Sequence, residues 1–564
     1  MQSIDTYDRT KAVLDQFDPN DIQDIEGARQ AITYLLNLIE EVVSENRELR
    51  EENQRLRDEN NRLKGEQGKP KIKPSKKATA PNGTDHSSER ERHTRKPRKR
   101  RSKVNQIQVD REQTLTLDLA QLPEDAEFKD YVPVVVQDVR LVTDNIRFLK
   151  EKHYSASQNK TYLAELPAGY KGEFGPGVRT LAHVLYHAVN TSQPKIAEFF
   201  EYIGIQISSG QVSNLLIKDQ DRFHAEKDAV YAAGLRSSPW QHIDETGTRV
   251  NGVNQHCHVL CNPFYTVYLT TEKKDRLTVI DVLTNLSPRA YLLQAQTYAW
   301  LRQANVSASI LERLRHLPQD RVFDDQQFNR LLDEHLAEVN AQHRRRILEA
   351  AAITAYHVQQ EVPVVQLLIS DDAPQFKRIT DELALCWVHD ARYYKKLSPA
   401  LAYHRHLLDQ FMNRYWAFYD QLLAYRKAPA PEQVPRLEAE FDTLFSTVTG
   451  YTGLDRRIAM TRDKRSSLLM VLRHPEIPLH NNPAEIEMRR RVRKRDVSFG
   501  PRTEDGKRAW DTFATLLATT KKLGLSFYRY VYDRVAQCEE IPSLADLIVK
   551  RAQQINPAAS WEPV

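Results

Sequence analysis

Three acidic residues stand in contexts that a merely solvated carboxylate does not need. Asp244 interrupts the apolar strand pattern begun by Trp240 and Ile243, and a lone aspartate inside a half-buried strand disfavours that strand without a reason. Asp371 follows the continuous apolar run Pro363–Ser370. Such a run suits a strand buried on both faces, and the C-terminal end of a buried strand is where α/β sheets place their sites. Glu485 falls in the first turn of a helix that Asn482 can cap and Pro483 can open, where the positive helix end favours carboxylates. Arg489, Arg490, Arg491, Arg493, Lys494 and Arg495 follow within two turns. A carboxylate beside dense positive charge suits a metal site that handles phosphodiesters, with oxygen ligands for Mg²⁺ and cations for a DNA backbone. Taken alone, that last segment reads better as a solvated basic helix with an acidic start. The two other carboxylates tip the balance toward chemistry.

The elements around these acids form a pattern. Trp240–Val250 runs into Asn251-Gly252, the strongest short hairpin signal, then Val253 to Leu260 and, after Asn262-Pro263, Phe264 to Leu269. This predicts an antiparallel meander with Asp244 on its first strand. A charged helical stretch, 285–361, intervenes before the buried strand ending at Asp371. Phe376 to Leu383 reads as the following helix and Leu383 to His389 as the next strand. Three strands, then strand–helix–strand, then an acidic helix is the order of a ribonuclease-H-like fold. In it the acids can converge on two Mg²⁺ ions ~3.5–4 Å apart, with Mn²⁺ as a substitute.

The 564 residues suffice for several domains, and the net charge of +5 is concentrated in Lys69 to Lys103 and Arg489 to Arg508. Four cysteines make no disulfide framework, no apolar run approaches a membrane span, and the polar N-terminus lacks a signal segment. A soluble cytoplasmic protein of a prokaryotic cell, associated with the nucleoid and not with a membrane, is expected. From Ile25 to Leu63 a heptad places Ile25, Ile32, Ile39, Asn46, Asn53 and Asn60 at a, with Ala28, Leu35, Val42, Leu49, Leu56 and Leu63 at d. Leucine at d with asparagine at a favours a parallel two-stranded coiled coil; a single amphipathic helix packed on its own domain is the alternative. Segment 65–104 carries Arg95, Lys96, Arg98, Lys99, Arg100 and Arg101 among prolines. It is either a solvated linker or a flexible arm for DNA phosphates. Alternation in Thr114–Leu117, Val132–Val142 and Ile146–Leu149 suggests a small β-rich module. Two short helices and a Ser-led third bearing Gln211, Ser213 and Asn214 read as a helix-turn-helix with base-edge-capable side chains, or as three-helix packing without DNA.

Three stretches then carry a resemblance to the insertion-sequence-66 family of transposases: Asp244-Glu245-Thr246, Cys386-Trp387-Val388-His389 with Arg392, and Asn481-Asn482-Pro483-Ala484-Glu485 with Phe499-Gly500. The resemblance implies an Asp-Asp-Glu catalytic triad of Asp244, Asp371 and Glu485 that also holds the metals. Cys386, His389, Arg392 and Asn482 would support it, and Arg489, Arg490, Arg493 and Lys494 would hold phosphates. Two departures stand out. No cysteine precedes Cys257, so the family's zinc-binding module is missing and zinc is not expected. Asp372 follows Asp371 where the family has glycine, which leaves either as second acid; Asp371 is the choice carried forward. Cys257, His258 and Cys261 with Cys386 and His389 could form a zinc site, but small buried hydrophobes on strands are the commoner role of free cysteine.

The expected architecture is multidomain α+β: a dimerising coiled coil (1–64), basic linker (65–104), β-rich module (105–172) and helix-turn-helix-like domain (173–235). A ribonuclease-H-like core follows in three parts (236–284, 362–399, 479–530), interrupted by helical insertions (285–361, 400–478) and closed by a helical tail (531–564). The expected activity is DNA cleavage and strand transfer at terminal inverted repeats. The partners are double-stranded DNA of the transposon ends and target, a second copy or more, and accessory proteins of the same element. A nuclease without strand transfer and a non-catalytic DNA-binding protein are the rival readings.

Overall fold

The computed structural model describes residues 24–63, 107–118, 123, 126–139 and 141–554. The arginine- and lysine-rich run at Arg95–Arg101 lies outside these residues. The chain is mixed α+β, organised on a mixed five-stranded sheet.

Helix α1 (Ile25–Leu63) spans the heptad stretch without a break. Its back is docked on the body. Asn37 donates to the Gly450 carbonyl and accepts from the Thr452 amide, and buried Glu40 accepts from the amides of Ala400 and Leu401. Those two residues fall at f and b of the heptad, away from the seam. The seam residues Ile32, Ile39, Leu49 and Leu56 remain about half exposed, at 57, 47, 52 and 54%.

The β-rich module is smaller than its pattern promised. Its regular part is the hairpin β1 (Lys152–Ser155) and β2 (Lys160–Leu163). Thr114–Leu117 and the described part of Val132–Val142 carry no regular secondary structure, with Val132, Val134 and Val136 exposed. A strand needs an edge to pair with, and alternation alone does not supply one. Three short helices follow: α2 (Pro176–His183), continued by a π-turn, α3 (Gln193–Tyr202) and α4 (Ser209–Ile217). They close on Ala182, Ile196, Phe200, Val212 and Leu216, and Ser208 caps α4 by accepting from the Gln211 amide.

Helix α5 (Asp221–Arg236) leads into the sheet, built from β3 (Trp240–Val250), β4 (Val253–Cys261) and β5 (Thr266–Thr271). After α6 (Arg276–Leu283), the first insertion comprises β6 (Ala290–Leu292), α7 (Ala295–Gln303), α8 (Ala308–Arg315), β7 (Val322–Asp324), α9 (Asp325–His335) and α10 (Ala341–Val358). It is therefore helical around one small β6–β7 ladder. The main sheet is completed by β8 (Leu367–Ser370) and β9 (Glu382–Leu385), in the order β5-β4-β3-β8-β9. The first three strands are antiparallel; β8 joins β3, and β9 joins β8, in parallel.

Two expectations fail between β8 and β9. Only a single turn at Pro374–Phe376 is helical, because Lys377 is extended (ψ 140°) and Arg378 adopts a left-handed backbone (φ 65°). The strand ends at Leu385, and Cys386 already caps helix α11 (Trp387–Lys395). The second insertion, α12 (Ala402–Lys427), α13 (Val434–Phe445), α14 (Thr452–Arg462) and the short α15 (Arg465–Leu468), explains why. Fully buried Trp387 sits among Tyr415, Phe418, Phe441 and Phe445, and its indole donates to the Leu468 carbonyl. That aromatic core is gained only if Trp387 turns out of the sheet.

Helix α16 (Asn482–Ser498) carries Glu485 and is pinned to β3 at both ends. At its start the Asn481 side chain donates to the Ile243 carbonyl and pairs with His242 Nδ1, both at 2.8 Å. At its end the Asn251 amide donates to the Pro501 carbonyl at 2.9 Å. Gly500 makes this approach feasible: its φ is 93°, and a methyl group there would overlap the Arg249 carbonyl oxygen. Helix α17 (Glu504–Lys522) then covers the free edge of β5, accepting from its amides through Asp511, Thr515 and Thr519. Helices α18 (Phe527–Ala536) and α19 (Leu544–Gln554) close the body.

Candidate active site

The three acids reach one place by separate routes. Trp240, Gln241 and His242 on β3 stand opposite Leu367, Leu368 and Ile369 on β8. Continued by two residues, that parallel register sets Asp371 level with Asp244 where the strands part. Helix α16, held by Asn481 to the carbonyl just before Asp244, delivers Glu485. The electrostatics agree. Burial raises the Asp244 carboxyl to about 7, the charges of Asp371, Glu485 and Glu245 push the same way, and one bond from the Glu245 amide opposes them.

Asp371 and Asp372 part company. Asp371 accepts from the Ala373 amide and lies within the field of Asp244 and His389. Asp372 pairs with Lys377 at 2.7 Å and with Lys464. Burial would raise its carboxyl, but these two ammonium groups hold it below the ordinary carboxylate value.

Glu485 is 9% exposed and surrounded by cations. Arg392 donates to both of its oxygens, at 3.2 and 3.0 Å, and Arg489 reaches it at 3.4 Å. His389 Nδ1 stands 3.6 Å away, while its Nε2 accepts from Arg392. Burial and the Arg392 charge lower the His389 imidazole below its usual value, against the pull of Glu485 and Asp371. Cys386 accepts the Asn481 amide on its sulfur, and burial pushes the thiol up to about 12, so it stays protonated. Donor atoms of Cys386, His389 and Glu485 lie within 4.8 Å of one another.

Other expected residues are placed differently. Asn482 is the first helical residue, and Asn481 occupies the cap position and makes the brace. Asn481 and His242 went unrecognised in the sequence; the doubled asparagine was the available signal. Arg490 spends its guanidinium on both oxygens of Glu487, at 2.7 Å. Lys494 is buried, donates to the Tyr186 carbonyl and covers the Tyr186 ring; burial and Arg491 lower its ammonium to about 7. Lys494 is thus turned inward, whereas Arg490 stays about one-third exposed (34%) beside Glu487. Arg489 and Arg493 face solvent. Gln211, Ser213 and Asn214 are half-buried, and Asn214 donates to Gln211. Cys257 and Cys261 line an apolar contact with Met488 and Ala518, whereas His258 turns to Thr271.

The profile of the Transposase IS66 family matches residues 341–509. The chain is also 31% identical over 321 residues to the uncharacterized protein y4jO of Sinorhizobium fredii (strain NBRC 101917 / NGR234), covering 57% of this chain and 99% of that protein. The chain belongs to the transposase IS66 family. The matched stretch of this IS66 transposase runs from α10 into α17. It contains Asp371, Cys386, His389, Arg392, Asn481 and Glu485, while Asp244 lies before it. No helix among the described residues is long and apolar enough to cross a membrane.

Proposed function

We propose that the chain is a DNA transposase that binds terminal inverted repeats, cleaves DNA and joins the ends to a target, using Asp244, Asp371 and Glu485. The observation that carries this is the facing of three carboxylates around Asp244, strong enough to help lift its carboxyl to about 7. Arg392 and Arg489 counter Glu485, but Asp244 and Asp371 form no ion pair with any described residue, and an all-oxygen donor set fits Mg²⁺ or Mn²⁺. When bound, such ions acidify an attacking water or 3′-hydroxyl and stabilise the departing oxygen. The sheet order, with three antiparallel strands and two parallel ones added beside the first, supports a ribonuclease-H-like core.

The chain's own residues do the positioning. Arg392, oriented by His389, holds the Glu485 carboxylate in place. Arg489 and Arg493, exposed on α16, are placed to meet the DNA backbone. The outward seam of α1 supports pairing of two copies through a parallel coiled coil. The helices α2 to α4 would contribute a helix-turn-helix contact through Gln211, Ser213 and Asn214.

The test is an assay of purified protein, Mg²⁺ and labelled DNA bearing the repeats that flank its own locus, beside Glu485→Gln. Cleavage and strand joining that vanish in the variant support the reading. Cleavage without joining would make the protein a nuclease. Activity equal in Glu485→Gln would remove the third acid from the chemistry.

A further inference from the structure

The sheet and the first insertion leave between them a cleft of about 850 Å³. One wall is the segment after Asp371, through Pro374 and Lys377; the opposite wall comes from α7 and α10. The cleft opens beside the acids, because Lys377 bonds Asp372 and Lys274 bonds Glu245, the neighbour of Asp244. Seven lysine and arginine side chains line it against three acidic ones, an excess of four positive charges. Part of this charge is already matched, as Arg276 and Arg345 both pair with Glu349. Lys273, Arg346 and Arg378 form no ion pair with any described residue. Half-buried Trp300 also lines the cleft, with the Arg276 guanidinium 5.7 Å from its ring centre. Arg378 holds its left-handed backbone within the same wall, a conformation that costs a non-glycine residue free energy and clusters at binding sites.

Unmatched cations beside an aromatic ring form the combination that binds unpaired nucleic acid: charges follow the backbone while a base stacks on the ring. Within a duplex both faces of a base are already stacked, and a cleft of drug-ligand size admits a few nucleotides at most. We propose that this cleft receives an unpaired stretch of the DNA strand passing the acids, with phosphates on Lys273, Arg346 and Arg378 and a base on Trp300. The proposal rests on the DNA-processing reading above and adds where the strand goes.

The experiment uses the full-length protein without divalent ions and a 5-iodouracil-substituted single strand of about ten nucleotides. Irradiation links the base to an aromatic ring it stacks on, and mass spectrometry locates the linked peptide. A link at Trp300 that persists in Glu485→Gln, disappears in Trp300→Ala and returns in part in Trp300→Phe is the expected result. Trp300→Ala and the double variant Arg346→Glu/Arg378→Glu should each weaken binding of this probe roughly ten-fold, the double variant with an unchanged thermal midpoint. Links confined to other segments, unchanged affinity in both variants, or equal competition by a duplex of the same sequence would each overturn it. A Trp300 link in a protein that shows no Mg²⁺-dependent cleavage would retain the cleft and refute the catalytic reading. Cleavage lost in Glu485→Gln without any Trp300 link would do the reverse.

Discussion

Asp244→Asn should stabilise the metal-free protein at neutral pH while abolishing its chemistry. In the folded chain this carboxyl titrates at about 7 rather than 3.8. The unfolded chain gives up the proton near the lower value and the folded chain near the higher one. The folded state therefore binds an extra proton between them, and the stability this provides is full below about 3.8 and lost as pH rises through 7. At about 1.4 kcal/mol per pH unit, the loss amounts to ~4 kcal/mol at most. Asparagine keeps the shape and removes the charge. Thermal unfolding of both proteins at pH 4 and pH 8 reads the effect: nearly equal midpoints at pH 4, and a variant several degrees higher at pH 8. Mg²⁺ at pH 8 should narrow the gap by raising the midpoint of the wild-type chain more. A gap equal at both pH values, or a variant less stable at pH 8, would refute the convergence of charge on Asp244.

Asn481→Ala removes two buried hydrogen bonds to β3 and should cost about 1–3 kcal/mol in denaturant titration, with cleavage reduced more than ten-fold as Glu485 loses its anchor. Trp387→Ala should cost about 3–5 kcal/mol by emptying the aromatic core that turns the chain after β9, again read by denaturant titration. In salt titrations of DNA binding, Arg493→Ala should lower the slope by about one, whereas Lys494→Met leaves it unchanged because that lysine bonds a carbonyl. Leu49→Glu with Leu56→Glu should convert a two-chain species to a single chain in light scattering, leaving the body folded.

The sheet was readable because its signals are local. An Asn-Gly turn fixed the β3–β4 hairpin, and an unbroken apolar run marked β8. Asp244 and Asp371 were visible through the oddity of their positions, a charge inside a strand or just past one, and Glu485 opened a helix dense in arginine. The brace was not, since nothing in one chain's text says which of two adjacent asparagines meets a carbonyl 238 residues away. Periodicity at 114–117 and 132–142 misled for the opposite reason. Alternation describes what a strand could bury, and pairing depends on what the rest of the fold offers. The inward turn of Lys494 likewise follows from Tyr186, a residue more than 300 positions earlier.

A bar supported at one end swings; a bar supported at both does not. Helix α16 is fastened to β3 through Asn481 at one end and through the glycine-dependent approach at Gly500–Pro501 at the other. Asp244 and Glu485 are thus parts of one closed frame, and their separation is set when the chain folds. Asp371 directly follows β8, which is paired in register with β3, and it stands just before the turn at Pro374 that walls the cationic cleft. All three acids are therefore tied to paired strands, and any give lies beyond Asp371, in the turn. A strand entering the cleft would press on that turn and leave the acids where folding set them.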